Sequence, residues 1–291
     1  MTTVLPERRV SEQDIEAMVR YYVEAGPDYE AWSSAFNMHF GCWEADVNPL
    51  NREAMLERMN ERVTAPLEDC RRVLDLGSGL GATARSLAAR SERVRVTGVT
   101  VVPWQVARAR QLTPSGERVD FREDDYTQTG FDDDEFDGAY AIESFCHGPG
   151  RDKAACIAEA YRVLKPGGRI VIADGFLKKT GSLRGLLAAC HRRICRCWSM
   201  DSLSVLPEVL ACLEDTGFEI TAVEDVSWRV AFSVAHVPFV TIGFLTRELL
   251  AKRSKLSRER WNNLLAPLLT AVVGLARAHF GYYIVRAEKM P

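Results

Sequence analysis

Between Val73 and Thr83 the chain reads Val-Leu-Asp-Leu-Gly-Ser-Gly-Leu-Gly-Ala-Thr, an acid two residues ahead of three closely spaced glycines. Such glycines let a backbone pass close to a ligand, and a helix opening just after them offers oriented, unpaired N–H groups. Gly77, Gly79 and Ala82 also satisfy the dinucleotide pattern G-x-G-x-x-G/A, a weak signal when taken alone. Asp75 argues against it, because its charge would repel a pyrophosphate and attract a ligand bearing an ammonium group. Further on, Asp124, Asp125 and Tyr126 combine carboxylates that can accept from an amine with a ring that can flank a base. Ile142-Glu143-Ser144-Phe145-Cys146-His147 then sets a carboxylate and an imidazole one helical turn apart among apolar neighbours. That pair can accept a proton or stabilise a developing cation.

These groups need elements to bring them together, and the periodicity supplies them. Strand patterns at Arg72–Leu76, Val94–Val99, Val119–Phe121, Phe136–Ile142 and Arg169–Ala173 alternate with helical ones at Ala82–Arg90, Trp104–Leu112 and Lys153–Leu164. Pro103 suits the first turn of the second of these helices, and Pro166-Gly167-Gly168 stops the third. Strands separated by helices predict βαβ crossovers, a parallel sheet and helices on both faces. Ligands of such sheets bind beyond the carboxyl ends of the strands, where strand order reverses. Helical stretches precede this region at Ser11–Glu24 and Arg52–Val63. More follow at Leu183–Cys195, Leu203–Asp215, Ala231–Leu250 and Ser257–Ala276, with strand-like pieces at Glu219–Val226 and Tyr282–Ala287. The expected division is an N-terminal helical segment over 1–66, a ligand-binding core over 67–176, and a helical cap with the last core strands over 177–291.

Composition narrows the class. Of 291 residues, 47% are hydrophobic and 26% charged, which excludes a disordered chain. With 37 basic and 40 acidic residues the net charge is −3, and nothing global favours a nucleic-acid partner. The first ten residues hold no apolar run of the kind a secretory signal needs. The uncharged stretch from Val230 to Thr246 carries His236 and Pro238 and falls short of a membrane span. Eight cysteines read as reduced thiols, so the expected compartment is the cytoplasm.

The segment VLDLGSGLGATA resembles the first motif of class I S-adenosylmethionine-dependent methyltransferases. FDDDEFDGAYAIESFCH and EAYRVLKPGGRIVIAD resemble the fourth- and fifth-strand motifs of the same superfamily, in the same order. The resemblance covers Arg71 to Gly175 and implies a Rossmann-like fold: a mostly parallel seven-stranded sheet, helices on both faces and a helical cap. It also implies S-adenosyl-L-methionine as cofactor, its ammonium facing Asp75 and its backbone contacts falling on Gly77, Ser78, Gly79 and Gly81. Many members carry an acid after strand two for the ribose; here Gly98-Val99-Thr100-Val101-Val102-Pro103-Trp104-Gln105 has none. This variant is similar to the branch containing sterol C-methyltransferases, γ-tocopherol methyltransferase and cyclopropane fatty acid synthases. It leaves Thr100 and Gln105 as the ribose partners. Asp124 aligns best at the adenine amino group with Asp125 competing, Tyr126 flanks the ring, and Ile142 lies at the strand end beside the cofactor.

On the acceptor side, AIESFCH is close to the pattern of sterol C-methyltransferases, where an alkene attacks the methyl group and the resulting cation loses a proton. Glu143 would stabilise that cation and accept the proton, while His147 would do the same or serve as base for a hydroxyl acceptor. Tyr21-Tyr22 and Asn37-Met38-His39-Phe40-Gly41 resemble an aromatic lid; either Tyr21 or Tyr22 fits as the closure over the methionine end of the cofactor, with Tyr22, a full heptad before Tyr29, the expected one. Trp32 and Phe36 are expected to dock the lid on the core. The apolar tail from Trp228 to Phe280 implies a cap over a hydrophobic small-molecule acceptor; an oligomer partner or a membrane surface would also cover it. Cys190, Cys195 and Cys197 lack paired zinc-knuckle spacing, so no metal is expected there. Their helix, with Arg184, Arg192, Arg193 and Arg196, reads as a basic surface helix able to meet an acidic or diphosphate end of the substrate.

Overall fold

The computed structural model describes residues 12–114, 118–181, 183–247 and 257–291. Helices α1 (Glu12–Trp32) and α2 (Arg52–Thr64) precede the first strand. Then β1 (Arg72–Leu76), α3 (Ala82–Arg90), β2 (Arg95–Thr100), α4 (Pro103–Leu112), β3 (Val119–Glu123) and β4 (Phe136–Ile142) follow in strict alternation up to β3. After α5 (Ala154–Val163) comes the long β5 (Leu164–Leu177), then α6 (Gly185–Cys197), a two-residue β6 (Ser204–Val205) and α7 (Leu206–Thr216). The chain ends with β7 (Phe218–Asp225), α8 (Ser227–Val234), α9 (Val237–Arg247), α10 (Arg258–Gly274) and β8 (Phe280–Lys289).

The sheet runs in the order β3-β2-β1-β4-β5-β8-β7, with β6 paired to β5 off that path. The first five strands are parallel, and β8 lies antiparallel between β5 and β7. Chain order reverses at β1, which pairs with β2 on one side and β4 on the other, so the predicted switch point falls at the carboxyl end of β1. Burial on both faces explains the near-continuous apolar strands. Leu74, Ala139, Ile170 and Ile172 pack against α5 and α7, while Val73, Val96, Tyr140 and Val171 face α2 and α3. The expected mostly parallel, seven-stranded α/β sheet is present, extended by the short β6.

Several boundaries differ from the sequence reading, the largest being α1, which runs on to Trp32 rather than ending at Glu24. β5 begins at Leu164 rather than Arg169, because Leu164 pairs with Phe136 and the register then shifts across Pro166-Gly167-Gly168. The helix expected at Ala231–Leu250 is two helices, α8 and α9, divided ahead of Pro238; its last expected residues, 248–250, lie outside the described region, as does Ser11. The stretch Ser227–Thr246 is long and apolar enough to cross a membrane by length and composition, a point the shorter uncharged run understated. Only 28% of its most apolar part is buried, and Trp228, Phe239 and Ile242 are exposed on the stretch. All eight cysteines are free and buried.

Candidate functional site

The cofactor side is built around the β1–α3 loop. Gly77, Gly79 and Gly81 have φ of 90°, 52° and 76°, the left-handed region that glycine enters without strain. A Cβ on Gly77 would lie 2.3 Å from the Ser144 Cβ, and one on Gly81 2.2 Å from the Phe121 ring. The Gly77 and Ser78 amides both donate to the Val99 carbonyl, at 3.0 and 2.9 Å, which fixes the loop against β2. The Ser78 hydroxyl oxygen is buried without a partner.

Asp75 is 3% exposed and accepts one side-chain hydrogen bond, from the Tyr140 hydroxyl at 2.8 Å. Burial pushes its carboxyl up to about 7, partly countered by that bond. Asp75, Ser78, Gly79 and Ile142 share a small cleft with Phe36, Met38 and His39. Met38 comes from the segment after α1, and its sulfur would sit 2.9 Å from a Cβ on Gly79. Gln105 is 3% exposed, not on a solvated helix face; its oxygen accepts from the Thr100 hydroxyl at 2.7 Å and its amide nitrogen lies 3.8 Å from the Met38 sulfur.

Seven expected cofactor residues do not line this cleft: Tyr22, Gly81, Thr100, Gln105, Asp124, Asp125 and Tyr126. Asp124 accepts from the Asp125 and Gly130 amides, and Asp125 from the Thr127 amide and hydroxyl, so both carboxylates order their own loop. The Tyr126 hydroxyl donates to the Ser144 carbonyl at 2.6 Å, tying that loop to the end of β4.

Beside the cleft, a cavity of about 500 Å³ separates the sheet edge from α1, α8, α9 and α10. Its walls are mainly apolar, with Val230, Val240, Phe244, Leu264 and Val273 from the helices, and it contains Tyr22, Glu143, His147, Asp174 and Tyr282. Glu143 stands at φ 49°, and its amide donates to the Ala173 carbonyl at 2.9 Å. Its Oε1 accepts from the Phe40 amide at 2.7 Å and the Tyr282 hydroxyl at 2.9 Å. Burial, with a smaller contribution from the nearby Asp174 charge, pushes the Glu143 carboxyl up to about 8 despite those bonds. Burial likewise brings His147 down to about 4, so it is a neutral ring. Its Nε2 lies 3.1 Å from the Tyr22 hydroxyl, and its buried Nδ1 has no partner. Tyr22 therefore joins His147 at the large cavity rather than the glycine loop, and Tyr21 turns away to donate to Asn263 at 2.6 Å.

Sequence reasoning missed Asp174 and Tyr282. Asp174 lies toward the carboxyl end of β5, three residues before its last, where it accepts from the Cys146 and Gly175 amides at 2.8 and 2.7 Å; burial raises it to about 6. The carboxyl-edge rule that located Glu143 was available for it too. Tyr282 arrives on the antiparallel β8, and no local signal ties it to Glu143. Cys195 lies 3.5 Å from His191, but no group of three metal-capable side chains exists among the described residues.

A parallel sheet with one antiparallel insertion, a glycine loop at the switch point and an adjoining apolar cavity define a Rossmann-like methyltransferase fold. The comparisons agree. The family described as methyltransferase domain matches residues 73–168. Methyltransferase GfsG from Streptomyces halstedii is 34% identical over 198 residues, 66% of this chain and 69% of that protein. Sterol methyltransferase-like 3 from Botryococcus braunii is 36% identical over 57% of this chain and 42% of that protein. The chain spans half or less of the length of several curated relatives it matches. Among solved structures, the cyclopropane synthase MmaA2 from Mycobacterium tuberculosis superposes with a TM-score of 0.79 at 17% identity, over 94% of this chain and 98% of that one. Geranyl diphosphate C-methyltransferase from Streptomyces coelicolor A3(2), solved with Mg²⁺, geranyl diphosphate and S-adenosyl-L-homocysteine, gives 0.70 at 18% identity, over 96% and 99%. The chain belongs to the S-adenosylmethionine-dependent methyltransferase family.

Proposed function

We propose that this protein transfers a methyl group from S-adenosylmethionine to carbon of an isoprenoid or prenylated small molecule held in the large cavity. The observation that carries the reading is Glu143: a carboxylate at the end of β4, bonded on one oxygen and lining a mainly apolar cavity. The cleft fits the cofactor. Asp75 is buried and forms no ion pair among the described residues, the Ser78 hydroxyl is an orphan, and the loop glycines hold conformations a side chain would strain. Asp75 would meet the ammonium group, Gly77, Ser78, Gly79 and Gly81 the main contacts, and Thr100 and Gln105 the ribose. Asp124 or Asp125 would take the adenine amino group beside Tyr126, with Ile142 against the cofactor. When bound, the cofactor supplies an electrophilic sulfonium methyl.

The rest falls to the chain. The apolar walls orient the acceptor and exclude water, an effect that can lower a transfer barrier by roughly 7–11 kcal/mol. Glu143, in its ionised form, stabilises the positive charge left on the carbon adjoining the attacking one and takes up the proton whose loss restores the double bond; Tyr282 and the Phe40 amide hold it in place. Tyr22 and Trp32 present aromatic faces to the same space.

A second reading has its own support: the neutral His147 with an unpartnered Nδ1 suits a base for an O- or N-methyl acceptor. Turnover on the native acceptor separates the two. Glu143→Gln should fall about 100-fold or more with cofactor affinity nearly constant. His147→Asn should cost less. A near-normal Glu143→Gln beside an inactive His147→Asn would overturn carbon methylation and favour the second reading.

A further inference from the structure

Taking the large cavity as the acceptor site, we infer that it admits an unphosphorylated amphiphile whose polar end is a hydroxyl or carbonyl, and that Glu143 and Asp174 reject a prenyl phosphate or diphosphate. Both carboxylates line the cavity, and each is bonded only by neutral N–H or O–H donors; neither forms an ion pair among the described residues. Where both are ionised, which for Glu143 means above about pH 8, an anion brought into an apolar enclosure beside them meets like charge weakly screened by water.

Nothing described in the wall offsets that sign. Arg277 is the single Lys or Arg among the described lining residues. It lies over the exposed Trp228 ring at 4.9 Å and 3.6 Å from Asp225. Lys153, whose charge acts on Asp174, donates to the carbonyls of Cys146, Gly148 and Ser202, which uses all three of its N–H groups. The arginines of the basic helix, Arg184, Arg192, Arg193 and Arg196, do not line the cavity; α6 turns Ile194 toward it instead. The diphosphate role left open for that helix is therefore not met by its placement.

The same cavity does offer partners to a neutral polar group. The Nδ1 of His147 and the Nε1 of Trp198 are buried without partners, and both rings line it. Buried ring nitrogens left unbonded cost stability, and a hydroxyl or carbonyl would satisfy them without bringing charge.

The test is calorimetric titration of the full chain at about pH 9, where Glu143 and Asp174 are both ionised, saturated with S-adenosylhomocysteine, with farnesol and with farnesyl diphosphate, each with and without Mg²⁺. Farnesol should bind at least about tenfold tighter than the diphosphate, whether or not Mg²⁺ is present. Asp174→Asn and Glu143→Gln should narrow that ratio by improving diphosphate binding. Diphosphate binding as tight as farnesol, a preference for diphosphate appearing with Mg²⁺, or a ratio unchanged in both variants would overturn the inference. The wild-type ratio decides even if a variant fails to fold. Saturable S-adenosylhomocysteine binding with neither chain bound would remove the cavity as the acceptor site, and this inference with it, while leaving the cofactor cleft in place.

Discussion

Two residues hold left-handed backbone for opposite reasons. Gly79, at φ 52°, is there because the loop must bend and Met38 lies against it. Gly79→Val puts a β-branched residue where it is a strong outlier and drives its Cβ onto the Met38 sulfur. S-adenosylmethionine binding should be lost in calorimetry while the circular dichroism spectrum stays that of the wild type; unchanged affinity would remove the loop as the cofactor cradle. Glu143, at φ 49°, has no such freedom, and the conformation costs about 1–3 kcal/mol. Its amide bond to Ala173 and its side-chain bonds to Phe40 and Tyr282 offset that cost and aim the carboxylate at the cavity. The glycine was legible from spacing alone. The strain at Glu143 was not, because it comes from partners more than 100 positions away in one direction and the other.

Among the elements, the connection from β4 to α5 does the most positioning. Ser144 bonds to the Leu76 carbonyl, Cys146 to Asp174, and Lys153 to three carbonyls. Lys153 is fully buried, at φ 57°, so the loop carrying Glu143 and His147 is fastened from inside. Lys153→Met keeps an apolar stem but strands those carbonyls. Each stranded group costs about 1–3 kcal/mol, so chemical denaturation should show a loss of about 2 kcal/mol or more, accompanied by lower turnover. An unchanged midpoint would show that the loop is held by other bonds. A sequence reading assigned Lys153 to the start of a helix and no more, since a lysine's burial depends on Ser202 folding over it.

At the scale of the molecule, the cap and the sheet edge together bury three carboxyls with raised values: Asp75 to about 7, Glu143 to about 8 and Asp174 to about 6. A raised carboxyl binds its proton more tightly folded than unfolded, so its contribution to stability is present at low pH and lost as pH rises toward the folded value. Each can lower stability by up to about 1.4 kcal/mol per pH unit within its window. His147, lowered from 6.5 to about 4, acts in the opposite direction, but only below pH 6.5. Between pH 6.5 and 8, Asp75 and Glu143 dominate this group, and the cofactor-free protein should melt at a lower temperature at pH 8 than at pH 6.5. S-adenosylhomocysteine should shrink the difference, because its ammonium group favours the ionised Asp75; Glu143→Gln should shrink it further. Thermal scans across that range check the sign, and a midpoint that rises toward pH 8 would contradict the burial of these acids.

The sequence by itself determined the alternation of strands and helices, the glycine loop, Asp75 and the placing of Glu143 and His147 on one sheet edge. Each of these is a local pattern: apolar periodicity, φ freedom, or position at a strand's end. It also fixed Thr100 and Gln105 as neighbours, five residues apart at the start of α4, although not that Gln105 is buried. What only the tertiary structure decided is which faces meet across long separations. Met38 covers Gly79, Tyr22 joins His147 rather than the loop, and Tyr282 arrives on an antiparallel strand to hold Glu143. The basic face of α6 turns outward while Asp174 turns in. Those outcomes depend on burying the cap's apolar surface against the sheet, a balance summed over many distant residues. No window of a few residues contains it.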